Sequence, residues 1–369
     1  MENVDYFSHV LPDTFNPCLA MGNGVAIGHH GEIFQGVYAN GSGKLRRALV
    51  SLMSGAFRSE AVFYPNVSGT VTIEPAWKVK AAHASELTLE HCKVSTSGGH
   101  LIIKNNIPSA WGLGSSTSDV TAAIRAVGDA FGDTLSPQIV ADLAVRAEIA
   151  SDPVMFSDRA VLFAQREGAV LEDFSQHLPP LEILGFNTDP AGYNTLGAPP
   201  ARYSWWEIEA FRPLIGLLRK AVNTQDPRLV GYVASASARI NQRHLPKPHF
   251  DELEALTTQV GAVGLQVAHS GTVVGLLFDP AAANVNDRIT KAQKHLATIG
   301  ITLTWRLHSR TGHETEKTQI AFTPFRDERW EQHSPPSHIA GNEYREIEFG
   351  SDLALITGTA PLSPTAERV

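Results

Sequence analysis

The sequence predicts a two-domain protein that mixes helices and strands, of the α+β or α/β kind. Three observations carry this expectation. The chain has 369 residues, 43% hydrophobic and 18% charged, which is enough for a sizeable core and, at roughly 150 residues per domain, for about two domains. Short apolar strand candidates alternate with segments of helical spacing. A Gly/Pro/Asn-rich connector, FNTDPAGYNTLGAPP (186–200), interrupts the pattern and sets a boundary near Gly185.

The elements follow in chain order. Residues 20–75 read as sheet punctuated by glycine: AMGNGVAIGHHGEIFQG carries five glycines in 17 positions, NGSGKL is a turn, and VTIE at 71–74 is a short strand. LII at 101–103 is a strand, followed by a turn with Pro108 and a Gly/Ser loop. Val120, Ile124, Val127 and Phe131 then recur at intervals of four, three and four, which lines one face of a helix starting near Ser115 or Ser116 and stopping at Gly132. Ser136 and Pro137 open a second helix that runs to about Ala150. Residues 159–185 return to strands and turns. Helical patterns cover 204–222 and 226–243, with Pro213 expected to delay or kink the first. LQVAHSGTVVGLLFD (265–279) holds two strands about an HSGT turn, DRITKAQKHLATIG is a helix, and ITLTWRLH is a strand. Further on, TQIAFTPF and REIEFG are strand candidates, and the last eight or so residues read as frayed.

Charge and composition exclude several classes. Thirty Lys+Arg against 38 Asp+Glu give −8, which argues against a surface that wraps nucleic acid but not against one phosphorylated small ligand. Cys18 and Cys92 form no metal-ligand cluster and allow at most one disulfide. The start, with Glu2, Asp5 and Asp13, has neither a basic segment nor an apolar run of signal-peptide type, and no stretch of about 18 apolar residues follows. A cytoplasmic protein without membrane contact is the expectation.

The chemistry concentrates in PSAWGLGSSTS (108–118). Gly112 and Gly114 precede Ser115–Ser118 at a helix start, where glycine permits close backbone approach and the unpaired amides and helix dipole favour an anion such as a polyphosphate. Lys104 is the only formal charge from Leu101 through Ser118. The glycines do not make GxGxxG. Lys44 is not a P-loop lysine, because Tyr38 stands at the required glycine and Leu45 at the hydroxyl position. The plain alternative is a tight turn capped by serine.

PSAWGLGSSTS closely resembles the PxxxGLGSSAA signature of the GHMP kinases. GHHGEIFQG and the late LQVAHSGTVVGLLFD agree with it, and both most resemble the branch containing the L-threonine kinases, where Gly-Glu-x-x-Gln-Gly follows the first strand. The resemblance covers roughly residues 15–310. It implies a two-domain α+β fold: an N-terminal domain like ribosomal protein S5 domain 2 over 15–185, and a ferredoxin-like α/β sandwich over 186–312. Residues 313–369 form an extension, for which covering a domain edge, closing the acceptor pocket and making a homodimer contact all stay open.

The resemblance also assigns roles. Pro108, Gly112, Leu113, Gly114, Ser115, Ser116 and Thr117 would wrap the ATP phosphates, with Lys104 adding positive charge. Ser116 and Glu148 would bind Mg²⁺, and Asp152 would orient or deprotonate the acceptor hydroxyl. The alternative for the two acids is a solvated helix end. His30, Glu32 and Gln35 would face the acceptor, Glu32 receiving an ammonium group. His29 with His30 invites a metal reading, but no spaced third ligand is evident. His269, Ser270, Gly271 and Thr272 would approach the phosphate loop from the C-terminal domain, or else form a structural hairpin. The implied activity is ATP-dependent phosphorylation of a small hydroxylated amino acid, L-threonine first. The alternatives are a homoserine kinase, a GHMP kinase for another hydroxylated metabolite, and a non-catalytic nucleotide-binding protein of the same fold.

Overall fold

The computed structural model describes residues 20–39, 45–189, 202–269, 271–309 and 322–324. The chain begins with a long antiparallel hairpin, β1 (Gly22–Ala39) and β2 (Leu45–Asn66). Then come β3 (Val71–Glu74), α1 (Val79–His91), β4 (Gly98–Asn105), α2 (Ser115–Ala130) and α3 (Pro137–Glu148), followed by β5 (Val161–Ala164), β6 (Ala169–Asp173) and β7 (Leu181–Asn187). The second half runs α4 (Trp205–Thr224), α5 (Pro227–Asn241), α6 (Phe250–Val260), β8 (Gly264–Val267), β9 (Val273–Phe278), α7 (Val285–Thr298), β10 (Leu303–Ser309) and β11 (Phe322–Pro324). The strands join in the order β11-β10-β7-β9-β8-β1-β2-β4-β3, with β5 on β2 and β6 on β5. Gly185 lies within β7, paired with Gly275 of β9 and Trp305 of β10.

Helices cover this sheet in two groups. Aliphatic residues of α2 pack on β1, β2 and β4, and α3 packs beside them. Gly22 and Gly24 bring the β1 backbone against α2, where any Cβ would overlap the backbone at Ala126 and Ala122. In the second half α4 and α5 bury Phe211, Leu218, Val222 and Val233 against β1, while α6 and α7 close over β7–β9. α4 starts at a full Ser204/Glu207 capping box and runs through Pro213 to Thr224, so the proline neither delays its start nor ends it. β11 lies within the TQIAFTPF candidate and pairs with β10, whereas REIEFG lies outside the described residues. No helix among the described residues is long and apolar enough to cross a membrane.

Three register shifts interrupt the β1–β2 hairpin, at Ile27/Gly28, His29/Glu32 and Glu32/Phe34. In a regular strand, residues three apart face opposite sides. The irregularity, with Gly31 at φ +68°, brings His29 and Glu32 together instead.

Candidate active site

The Gly/Ser loop is built from left-handed turns. Ala110, Gly112 and Gly114 have φ of +64°, +81° and +78°, and Gly114 is the residue from which α2 starts. The loop is clamped at two points, Trp111 and Leu113. The His29 amide donates to Leu113 O at 3.2 Å and Val273 N to Trp111 O at 3.4 Å. Gly271, at φ +130°, sits so close to Trp111 and Gly112 that a Cβ would overlap their backbone. The late glycine turn therefore packs on the phosphate-loop candidate, through Gly271 and Val273. Ser270 lies outside the described residues, and Thr272 spends its hydroxyl on Asp189 O at 2.9 Å.

Positive charge reaches the loop from a segment the sequence reading passed over. A cleft of about 250 Å³ is lined by Trp77, Lys78, Lys80, Ser109, Ala110, Ser115, Ser116 and Asp119, among others. Lys78 is buried and ion-paired to Asp119. Asp119 also accepts from Ser59 Oγ at 2.7 Å and from Asn105 Nδ2 at 2.8 Å, and Asn105 bonds Ser115 Oγ at 3.0 Å. Lys104 instead sits exposed on β4 opposite Glu60, and its neighbour Asn105 makes the contact with the loop. Pro108 directly precedes Ser109 and Ala110, which line the cleft.

Ser116 and Glu148 do meet: Ser116 Oγ donates to Glu148 Oε2 at 2.8 Å, across 32 residues of sequence. Glu148 is 8% exposed, and its Oε1 is buried with no hydrogen-bond partner. Burial pushes its carboxyl up to about 7 against the opposing pull of Thr117, Ser116 and Lys80. Lys80 Nζ stands 3.9 Å away on the solvent side.

Asp152 follows α3 and is the partly exposed end of a buried polar chain. Its Oδ2 lies 3.2 Å from His29 Nε2 and accepts from Thr117 Oγ1 at 3.4 Å. On the other side of the same ring, Nδ1 is 3.6 Å from Glu32 Oε1, and Glu32 Oε2 accepts from Ser51 Oγ at 2.6 Å. Burial alone depresses the His29 pKa, but the two flanking carboxylates override it and raise the group to about 9. Burial works against the Asp152 anion too, yet His29 and Thr117 hold its carboxyl below the ordinary range. Burial raises Glu32 to about 7, with His29 and Ser51 opposing. The ligand-type atoms of His29, Glu32 and Asp152 fall within 4.8 Å of one another. The carboxylates, however, flank opposite ring nitrogens, which suits an imidazolium between two anions rather than a ring offering one lone pair to a metal.

The expected acceptor-side residues His30, Glu32 and Gln35 are buried in this arrangement. His30 is fully buried, takes a hydrogen bond from Trp305 Nε1 at 3.0 Å, and has the Gln266 amide against Nδ1 at 2.5 Å. Because indole can only donate, Nε2 accepts from it, and His30 is a structural link between β1, β8 and β10. Burial depresses it to about 3. His29, one residue earlier, faces Asp152 instead. Glu32 has no exposed side-chain surface and is already engaged, so it offers no free carboxylate to an ammonium group. Gln35 is likewise internal, accepting from His269 Nδ1 at 2.9 Å. His269 completes its pairing with Gln165 at 3.4 Å and is held neutral, near 4, chiefly by burial.

Residues 78–158 match the family described as GHMP kinases N terminal domain. The L-threonine kinase of Salmonella typhimurium is 31% identical over 181 residues, 48% of this chain and 59% of that protein. The L-threonine kinase of Citrobacter freundii is 30% identical over 189 residues, 48% of this chain and 61% of that protein. The chain thus matches about three-fifths of the length of these relatives. In structure it resembles a homoserine kinase from Cytophaga hutchinsonii, with a TM-score of 0.59 at 14% identity, covering 79% of this chain and 95% of that one. The family match thus covers residues 78–158, and the α+β fold is similar to that of the homoserine kinase. The curated proteins it matches in sequence are L-threonine kinases.

Proposed function

We propose that the protein is an ATP-dependent kinase that phosphorylates the hydroxyl of a small amino acid, L-threonine foremost, at the site formed by the Gly/Ser loop, Ser116, Glu148 and Asp152. The observation that carries this reading is the convergence at the start of α2: a glycine-rich anion cradle, a hydroxyl–carboxylate pair with an unpartnered oxygen, and an ionised aspartate. The similarity to L-threonine kinases supports the acceptor class. The division near residue 185 into a nucleotide-binding and a C-terminal domain belongs to the same reading.

Ser116 and Glu148 fit a magnesium ion. The orphaned Glu148 Oε1 is a hard oxygen donor in a place where burial penalises an uncompensated charge. The ion would supply charge neutralisation to the phosphates, which is the main requirement of phosphoryl transfer. The amides at the α2 start and Lys80 add fixed positive potential. Asp152, held ionised by His29, accepts the acceptor hydroxyl's hydrogen bond and takes its proton as the oxygen is phosphorylated. A weakly basic carboxylate suffices there, because a loose transition state asks for orientation before deprotonation.

Asp152→Asn tests the assignment. Nucleotide binding is expected to persist while transfer falls at least about 100-fold, the usual worth of a positioned general base. Transfer equal to that of the unmodified protein would remove Asp152 from the role.

A further inference from the structure

The buried chain behind Asp152 has a direction. Ser51 on β2 donates to Glu32 at 2.6 Å, Glu32 lies 3.6 Å from one nitrogen of His29, and the other nitrogen lies 3.2 Å from Asp152. Glu32 has no exposed side-chain surface and His29 3%, whereas Asp152 has 23%. The chain thus starts in the core and ends at the one member that reaches solvent. His29 Nδ1 and Glu32 Oε1 are buried without a hydrogen-bond partner, and at 3.6 Å each partly offsets the other's charge. The register shift at His29/Glu32 is what brings them together.

We propose that His29 is a positioning residue that aims the Asp152 carboxylate at the acceptor, with Glu32 and Ser51 fixing the orientation of its ring. The inference rests on the kinase reading of Asp152 and adds a residue to it. The packing around His29 supports a fixed ring. Gly114 at the α2 start lies against the Cδ2–Nε2 edge, where a Cβ would come within 2.5 Å of Cδ2, and the His29 amide is tied to Leu113 O. The titratable groups facing this pair are Glu32 and His30 from β1 and Asp152 itself, with Glu148 and His269 acting on Asp152 from α3 and the late turn. Among the described residues Glu32 and Asp152 are the two carboxylates that bear on the ring.

The test uses the full chain and two readouts. In His29→Gln, which replaces the cation by a neutral side chain of similar reach, kcat is expected to fall about 10- to 100-fold, at or below the lower end for a positioned acid–base group. KM for nucleotide should stay unchanged. With the cation gone and Asp152 still buried, the carboxyl titrates higher, so the acid limb of kcat/KM moves to higher pH. His29→Ala should behave similarly and Ser51→Ala more mildly. The second readout is independent of turnover. Long-range ¹H–¹⁵N spectra at pH 7.5 should show both His29 ring nitrogens protonated, and Asp152→Asn should bring that titration down. A neutral His29 ring at pH 7.5, or an unmoved acid limb with unchanged kcat in His29→Gln, overturns the inference while leaving the kinase reading intact. Absence of transfer to every acceptor by the unmodified protein overturns the kinase reading itself, whatever the spectra show.

Discussion

Gly114→Ala puts the geometry of the loop to a quantitative test. Gly114 has φ +78°, and forcing an L-residue into the left-handed region costs about 1–2 kcal/mol. The added Cβ would also meet His29 Cδ2 at 2.5 Å and Nε2 at 2.8 Å. That ring cannot swing away cheaply, because it is buried and tied to Asp152, and overpacking of this kind adds about 1–3 kcal/mol. The expected loss is therefore about 2–5 kcal/mol, read from urea unfolding, together with a fall in kcat as His29 is pushed off Asp152. Gly132→Ala is the control. Its φ is +72° with no atom within 4 Å of the added Cβ, so only the backbone cost of about 1–2 kcal/mol applies. If the two variants lost equal stability and Gly114→Ala kept full activity, the contact between the loop and His29 would be refuted.

Other outcomes follow from the same structure. Lys78→Met leaves Asp119 buried without its cation and should cost about 3–5 kcal/mol, measured by urea unfolding, with the hydrogen bonds from Ser59 and Asn105 as the remaining compensation among the described residues. The folded-state pKa of His29, about 9, lies above its ordinary 6.5. Its contribution to stability is therefore fully present below pH 6.5 and lost as pH rises through 9. Glu32 and Glu148, raised to about 7, act in the same direction but have largely finished titrating by that pH. Urea midpoints should accordingly decline between pH 7.5 and 9.5 in the unmodified protein, and His29→Gln should flatten that decline.

What was readable in the sequence was local. The strand at 101–103, the glycine loop and the face of α2 lie within about 30 residues of one another, and their turn chemistry is written in Gly112 and Gly114. The pairing of Ser116 with Glu148 and the approach of Gly271 to the loop came from family resemblance, since no periodicity brings together residues 32 or 159 positions apart. α1 escaped notice because its buried positions are Ala81, Ala84, Ser85, Thr88 and Leu89, mostly small or polar residues that leave no apolar stripe. Lys78, just before that helix, was missed with it. β2 falls inside the stretch 20–75 that reads as sheet, but 22 residues containing Ser54, Gly55 and Arg58 do not read as one strand. The choice of His30 over His29 turned on the register shift around Gly31. Alternation along a strand cannot reveal a bulge, and one residue of slip exchanges the buried structural histidine for the one that faces Asp152.

The central claim is phosphoryl transfer to an amino-acid hydroxyl, and one assay addresses it most directly. The full chain is incubated with ATP, Mg²⁺ and, separately, L-threonine, L-serine and L-homoserine, with ADP release followed and products identified by mass. The account predicts acceptor-dependent ADP release, strongest with L-threonine, and a product heavier by one phosphoryl group. ADP release indifferent to every acceptor, with no phosphorylated amino acid formed, would contradict it.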